Sequence, residues 1–269
     1  MKLRSLAALL LAGAAVLAPM TASAHRAWIV PSATNLSGED PWVGIDAAIS
    51  NDLFYADHNP MRLNGVTITT PDGQTATAEN PMTGKYRSTF DLHLTQPGTY
   101  RIANVGGGLT ASFKVGEETR RWRGTAAELA TAVPEGATEV VITETANRVE
   151  TYVTRGEPTT GALAATGQGL EMVPVTHPTD LAAGEPATFK LMLDGQPAAN
   201  LTVIVAPGGV RYRDARGETT VTTGADGAFT VTWPEAGMYW LNASARGGAG
   251  SVPGSTRSAA WTATVEVLP

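Results

Sequence analysis

No cysteine occurs anywhere in the 269 residues. That absence excludes disulfides, thiolate metal sites, thiol nucleophiles and cysteine-ligated iron–sulfur clusters. An ordinary core must hold the fold, and any metal must be taken by histidine, carboxylate, methionine or a terminal amine. Histidine is scarce as well, with four residues and no His-x-His, His-Glu-x-x-His or His-rich tract. No serine sits in a Gly-x-Ser-x-Gly elbow. The carboxylates Glu144, Glu150 and Glu171 show no spacing that pairs them for acid–base work. Positive charge is in deficit too: the formal net charge is −6, which argues against nucleic acid or an anionic membrane surface as partner.

Long apolar runs are also missing beyond the start of the chain. Lys2 and Arg4 precede an Ala/Leu-rich stretch from Leu6 to Leu17. This stretch is shorter than the roughly 20 residues a membrane-spanning helix needs. With Ala22-x-Ala24 behind it, the segment reads as a secretion signal cut after Ala24. The expected product is a soluble, exported, periplasmic chain that does not span the membrane and begins with His25. A histidine at a free N-terminus offers two metal donors, the α-amine and an imidazole nitrogen.

The remaining text is one of short strands and turns. Residues 25–120 read as an N-terminal β-sandwich. Thr89–Leu94 alternates with Phe90, Leu92 and Leu94 on one face, and Pro71-Asp72-Gly73 marks a tight turn. Residues 121–170 read as a connecting segment. Thr125 and Glu128 make a capping box for a short helix, Ala126–Ala132, followed by strands at 138–143 and 147–154. Residues 171–269 read as a second, immunoglobulin-like sandwich with strands about every ten residues. The fold class expected is all-β: two immunoglobulin-like β-sandwich domains with a short helix in the connecting region.

Three stretches carry a family resemblance: Ala24-His25-Arg26-Ala27-Trp28-Ile29-Val30-Pro31, Gly169-Leu170-Glu171-Met172-Val173-Pro174 and Ala236-Gly237-Met238-Tyr239-Trp240-Leu241. Tyr212-Arg213 and Thr223-x-x-Asp226-Gly227 add to them. In their order and spacing the chain resembles the periplasmic proteins of domain of unknown function 4198. That resemblance implies a two-part β protein of the periplasm serving cobalt or nickel transport, with no enzymatic reaction. It also implies a histidine at position 58.

The candidate ligands for a divalent transition metal (nickel, cobalt or copper) follow. His25 would chelate through its amine and ring, and a second histidine would complete three nitrogens in one plane, a histidine brace that suits Cu²⁺ or Ni²⁺. Imidazoles and terminal amines both release protons near neutral pH, so a cation displaces them readily. His58 lies in the loop Asp52–Pro60 with Asp57 beside it, where a sheet can aim ligands while the backbone bends. The competing reading of that loop is a surface turn in which Asp57 bonds its own backbone. His93 faces away from the apolar side of its strand and reads as a surface histidine. His177, held extended by Pro178, reads as a linker residue that a junction site would recruit.

The aromatic residues Trp28, Trp42, Tyr55, Tyr86 and Trp122 read as core anchors. Arg120, Arg121 and Arg123 around Trp122 read as a solvated cluster with guanidinium stacked on indole. The function expected is a metal-binding accessory protein delivering its ion to an inner-membrane importer or taking it from an outer-membrane receptor. The alternatives are an envelope interaction module without metal and a copper-dependent monooxygenase of the lytic polysaccharide kind.

Overall fold

The computed structural model describes residues 25–269; the expected secretion signal, residues 1–24, lies outside them. The first half holds β1 (Arg26–Pro31), β2 (Asn35–Leu36), β3 (Trp42–Ser50), β4 (Asn59–Pro60), β5 (Val66–Thr69), β6 (Thr75–Ala76), β7 (Glu79–Thr83), β8 (Ser88–His93), β9 (Gly98–Val115), β10 (Glu118–Gly124) and helix α1 (Ala126–Ala132). Next comes β11 (Thr138–Arg155). The second half holds β12 (Leu170–Pro174), β13 (Pro186–Leu193), β14 (Gln196–Pro197), β15 (Thr202–Pro207), β16 (Thr219–Thr222), β17 (Ala228–Thr232), β18 (Gly237–Ala249) and β19 (Ser255–Val267).

Alternation decides which faces are buried. Phe90 and Leu92 of β8 point inward with Val43, Ile45 and Ala47 of β3, while Asp91 and His93 remain half-exposed. The turn at Pro71-Asp72-Gly73 forms where expected, with the Gly73 N–H donating to the Thr70 carbonyl at 2.8 Å. Helix α1 also starts as expected, the Thr125 N–H donating to the Glu128 carboxylate at 2.8 Å.

Three sheets make two sandwiches. One sheet has the order β1-β3-β8-β7, with β4 also on β3. The opposite small sheet has the order β12-β13-β14, with β17 on β13. Between them runs a single ten-stranded sheet, β16-β15-β18-β19-β11-β9-β5-β6, with β10 on β9 and β2 on β11. The first small sheet packs on the β9 side of this wall over Ile29, Ile45, Phe90, Tyr100 and Ile102. The second packs on the β18–β19 side over Phe189, Leu191, Trp233, Tyr239 and Trp261. A small third cluster of Trp28, Ala48, Leu53, Ala206 and Trp240 joins the outer face of the first sheet to β15 and β18. The architecture is all-β, two immunoglobulin-like sandwiches on a shared sheet.

Two local expectations are revised. Residues 138–155 form one strand rather than two, because Glu144-Thr145-Ala146 pair without interruption with Leu109-Gly108-Gly107 of β9 and with Arg257-Ser258-Ala259 of β19. No turn-forming residue interrupts the run, so hydrogen bonding on both edges keeps the strand extended. Residues expected to connect the sandwiches thereby form the central strand of their common wall, antiparallel to β9 and parallel to β19. The aromatic residues also divide: Trp28 is fully buried, whereas Trp42, Tyr55 and Tyr86 are exposed.

At β11 lies a buried charge network. The Arg148 guanidinium stands 3.5 Å from the Glu150 carboxylate and 3.9 Å from that of Glu171, and all three residues are buried. Glu150 also accepts from the Tyr152 hydroxyl at 2.8 Å and the Trp261 indole at 2.7 Å. Glu171 accepts from the backbone N–H groups of Thr166 and Gly167 at 2.8 and 2.7 Å. Burial, reinforced by the neighbouring Glu150 charge, pushes the Tyr152 hydroxyl well above the ordinary tyrosine range, so it stays a donor.

Candidate functional site

The start of β1 is fixed from both sides. The Trp28 indole donates to the Ser50 hydroxyl at 2.6 Å, and that hydroxyl donates to the Asp52 carbonyl at 2.5 Å. From the second sandwich, the Trp240 indole donates to the Ala27 carbonyl at 2.9 Å. The Arg26 guanidinium lies 5.0 Å above the Trp240 ring and pairs with Glu218 at 2.6 Å. Residue 25 therefore follows directly on an anchored strand.

The loop after β3 is fixed as well. The Asp57 carboxylate accepts from the Asn51 backbone N–H at 2.8 Å and from its side-chain amide at 3.3 Å, closing residues 51–57 into a compact turn. Phe54, at φ 60°, packs edge-on against Trp28 at 5.8 Å. Asp57 thus holds the loop rather than presenting a free carboxylate, the local backbone role weighed for it from sequence.

Strand register then brings two histidines together. Arg26 pairs with Ser50 on one side of β3, and Asn59 pairs with Ile49 on the other. Continuing each register by one residue sets His25 opposite Asn51 and His58 opposite Ser50, at the same end of β3. The backbones are two strand spacings apart, about 10 Å, and the side chains close the gap over the strand end. The His25 and His58 rings stack with centroids 3.6 Å apart and planes inclined by 6°. His25 is exposed and His58 half-buried.

The other two histidines lie elsewhere. His93 pairs with Trp42 at the opposite end of β3, eight residues from Ser50, or about 27 Å of strand rise. There its Nε2 meets the Asp40 carboxylate and its ring stacks on Trp42 at 4.3 Å. The His177 Nε2 lies 3.0 Å from the Thr159 carbonyl and 3.2 Å from the Thr99 hydroxyl, and its Nδ1 accepts from the Thr179 N–H at 3.3 Å. His177 thus ties its own loop to the start of β9 and to the loop that follows β11. Among the described residues, no group of three or more His, Cys, Asp or Glu side chains converges on one point.

A cavity of about 410 Å³ opens next to the 51–57 loop, lined by Trp28, Phe54, Tyr55, Lys85, Tyr86 and Arg87. Arg211 from the second sandwich lies 4.0 Å over the Tyr55 ring. The residues sequence reading did not single out are those that aim the histidines: Ser50, Asn51 and Trp240. Trp240 lies in a recognised stretch, but no spacing in one sequence ties it to Ala27. No helix among the described residues is long and apolar enough to cross a membrane.

A family profile described as "Domain of unknown function (DUF4198)" matches residues 22–247. No curated protein matches the chain. Among solved structures, the D0-D1 domain of intimin is similar at 13% identity over 90% of this chain and 97% of that one. Its TM-score is 0.22.

Proposed function

The chain belongs to the DUF4198 family, and from that premise we propose that it is a periplasmic transition-metal-binding accessory protein of a metal uptake system. Its cargo would be nickel, cobalt or copper, held on the mature N-terminal histidine and passed to a membrane importer or received from an outer-membrane receptor. The observation that carries this reading is the stacked pair His25 and His58, 33 positions apart in sequence and 3.6 Å apart in space.

The donor set fits such a cargo. Two neutral imidazoles and an amine suit borderline divalent ions better than Ca²⁺ or Mg²⁺, which prefer oxygen. Side chains alone supply two nitrogens, so the third donor in this reading is the α-amine that cleavage after Ala24 would free. The anchored β1 and the Asp57-closed loop keep the two histidines neighbours before the ion arrives. The stacked rings direct their lone pairs side by side, so in this reading they turn out of the stack to meet one ion between them. The exposed His25 leaves one side open, which serves transfer to a second protein better than permanent retention. The role proposed is binding and delivery of the ion.

The test uses protein exported and processed in its own compartment, its N-terminus verified by mass. It is titrated with Cu²⁺, Ni²⁺ and Co²⁺ beside a form carrying one extra Gly before His25. Tight binding by the native form alone is expected. Failure of both forms to bind, or equal weak binding by both, would remove the terminal-histidine site.

A further inference from the structure

The ten-stranded sheet extends past both cores as an arm built from β9, β10, β11, β18 and β19. Burial alternates along it. Leu109, Ala111 and Phe113 of β9 are buried on the face where α1 packs, whereas Thr110, Ser112 and Lys114 are only half-buried on the other. Among the described residues, no element covers that second face.

It carries a row of threonines beside two arginines. Thr110, Thr143 and Thr256 are register partners on three adjacent strands, with Arg123 next in the same row on the fourth. Neighbouring members of the row are one strand spacing apart, about 4.8 Å. Two hydroxyls of the row, Thr110 and Thr256, donate to the Thr143 and Ile142 carbonyls at 3.4 Å, and Thr145, two residues along from Thr143, donates to the Gly108 carbonyl at 3.0 Å. Their protons are directed into the sheet, so their lone pairs remain to accept hydrogen bonds from outside.

Arg121 and Arg123 flank the row as donors. Both are exposed, and neither makes an ion pair or hydrogen bond within the described residues. The aromatic stacking expected for this cluster does not form, since no guanidinium lies over Trp122. The carboxylate of Glu139 reaches this region and is bonded to Lys114 at 2.6 Å. A shallow cavity of about 440 Å³ lies here, lined by Thr110, Ser112, Arg121, Arg123 and Thr143 together with the exposed apolar Val141.

We infer that this face binds an acidic polysaccharide. Sugar hydroxyls donate to the row of threonine oxygens, and the polymer's carboxylates accept from Arg121 and Arg123. Local positive charge on a chain whose net charge is −6 selects an anionic ligand. Ordered hydroxyl acceptors add what a purely electrostatic patch lacks, a reason to prefer a polyhydroxylated one. The site is separate from the histidine pair and does not depend on metal.

The test is affinity electrophoresis of the processed protein through gels containing polygalacturonate, dextran or poly-L-glutamate. Retardation by polygalacturonate alone, or far more strongly than by the other two, is expected. Arg121→Gln with Arg123→Gln lowers the apparent affinity roughly tenfold or more. Thr143→Val with Thr256→Val, which keeps the charge and nearly the shape, lowers it by roughly threefold or more. Unchanged melting temperatures show that these exposed substitutions leave the fold intact. Absence of retardation, indifference to the arginine pair, or equal binding of poly-L-glutamate unaffected by the threonine pair would each overturn the inference.

Discussion

The indole Nε1 of Trp240 donates to the backbone carbonyl of Ala27 at 2.9 Å, across 213 positions of sequence. This bond ties the first strand of the first sandwich to the penultimate strand of the second. Trp240→Phe keeps an aromatic ring but leaves the Ala27 carbonyl without its partner. The expected cost is about 1–3 kcal/mol of stability, read by denaturant unfolding. Amide hydrogen exchange of residues 26–28 speeds up with it, and unchanged exchange there would show that Trp240 does not hold β1.

Histidine substitutions separate the pair from the rest. His58→Ala is expected to weaken Ni²⁺ or Cu²⁺ binding by roughly a hundredfold, about 2.7 kcal/mol. His93→Ala and His177→Ala leave it within about twofold of the unaltered protein, because Asp40 and Trp42 hold one ring and Thr99, Thr159 and Thr179 the other. Isothermal titration of the processed protein checks all three. A fall in affinity with His93→Ala comparable to that with His58→Ala would contradict the pairing.

Arg148 is expected to be the most sensitive charged residue of the core. Arg148→Met removes the cation between Glu150 and Glu171 and leaves two buried carboxylates facing each other. A loss of about 3–5 kcal/mol is expected, measured by chemical denaturation. Adding Glu150→Gln and Glu171→Gln restores part of it by removing the uncompensated charge.

Gly227 tests the turn before β17. Its φ is +76°, and an added Cβ would meet the Leu191 carbonyl oxygen at 2.3 Å. The left-handed conformation alone costs a non-glycine residue about 1–2 kcal/mol, and the backbone contact adds to it. Gly227→Ala should therefore lower the melting temperature by several degrees, whereas Gly73→Ala, also at positive φ but in open space, should lose less.

Acid should loosen the loop joining β18 and β19. The Ser251 backbone N–H, 2.6 Å from Glu144, holds that carboxyl below its ordinary range, helped by the Ser251 side chain and the Arg257 guanidinium. A carboxylate with a depressed folded-state value contributes stability above its unfolded value, near 4.5. That contribution fades as pH falls through the lower folded value. Glu144→Gln should lower stability at pH 7 and show a smaller further loss between pH 5 and 3, read from melting temperature against pH.

Much of this was legible in the text of the chain. Alternation placed Phe90 and Leu92 inside and His93 outside, and Thr125 with Glu128 marked the start of α1, because these features depend on neighbours in sequence. The nearness of His58 to His25 rests on two registers meeting at the end of β3, which no local pattern encodes. The same limit hid the network around Arg148: Glu150 is two residues away on β11, but Glu171 and Trp261 arrive from distant strands. Trp42 shows the opposite error. A tryptophan in a strand suggests a core, yet its position on β3 faces outward, where it stacks on His93 instead.

The interlock of the two chain ends has a consequence for the order of events during synthesis. Ala27 waits for Trp240, and the Thr34 hydroxyl waits for the Glu266 carboxylate, which it meets at 2.5 Å. Residues 27–34 are therefore set only once β18 and β19 have been made. A chain cut short before β18 would carry all four histidines and still lack the clamp that aims the first of them. In this molecule the setting of His25 is a late event, sealed by a strand more than two hundred positions further on.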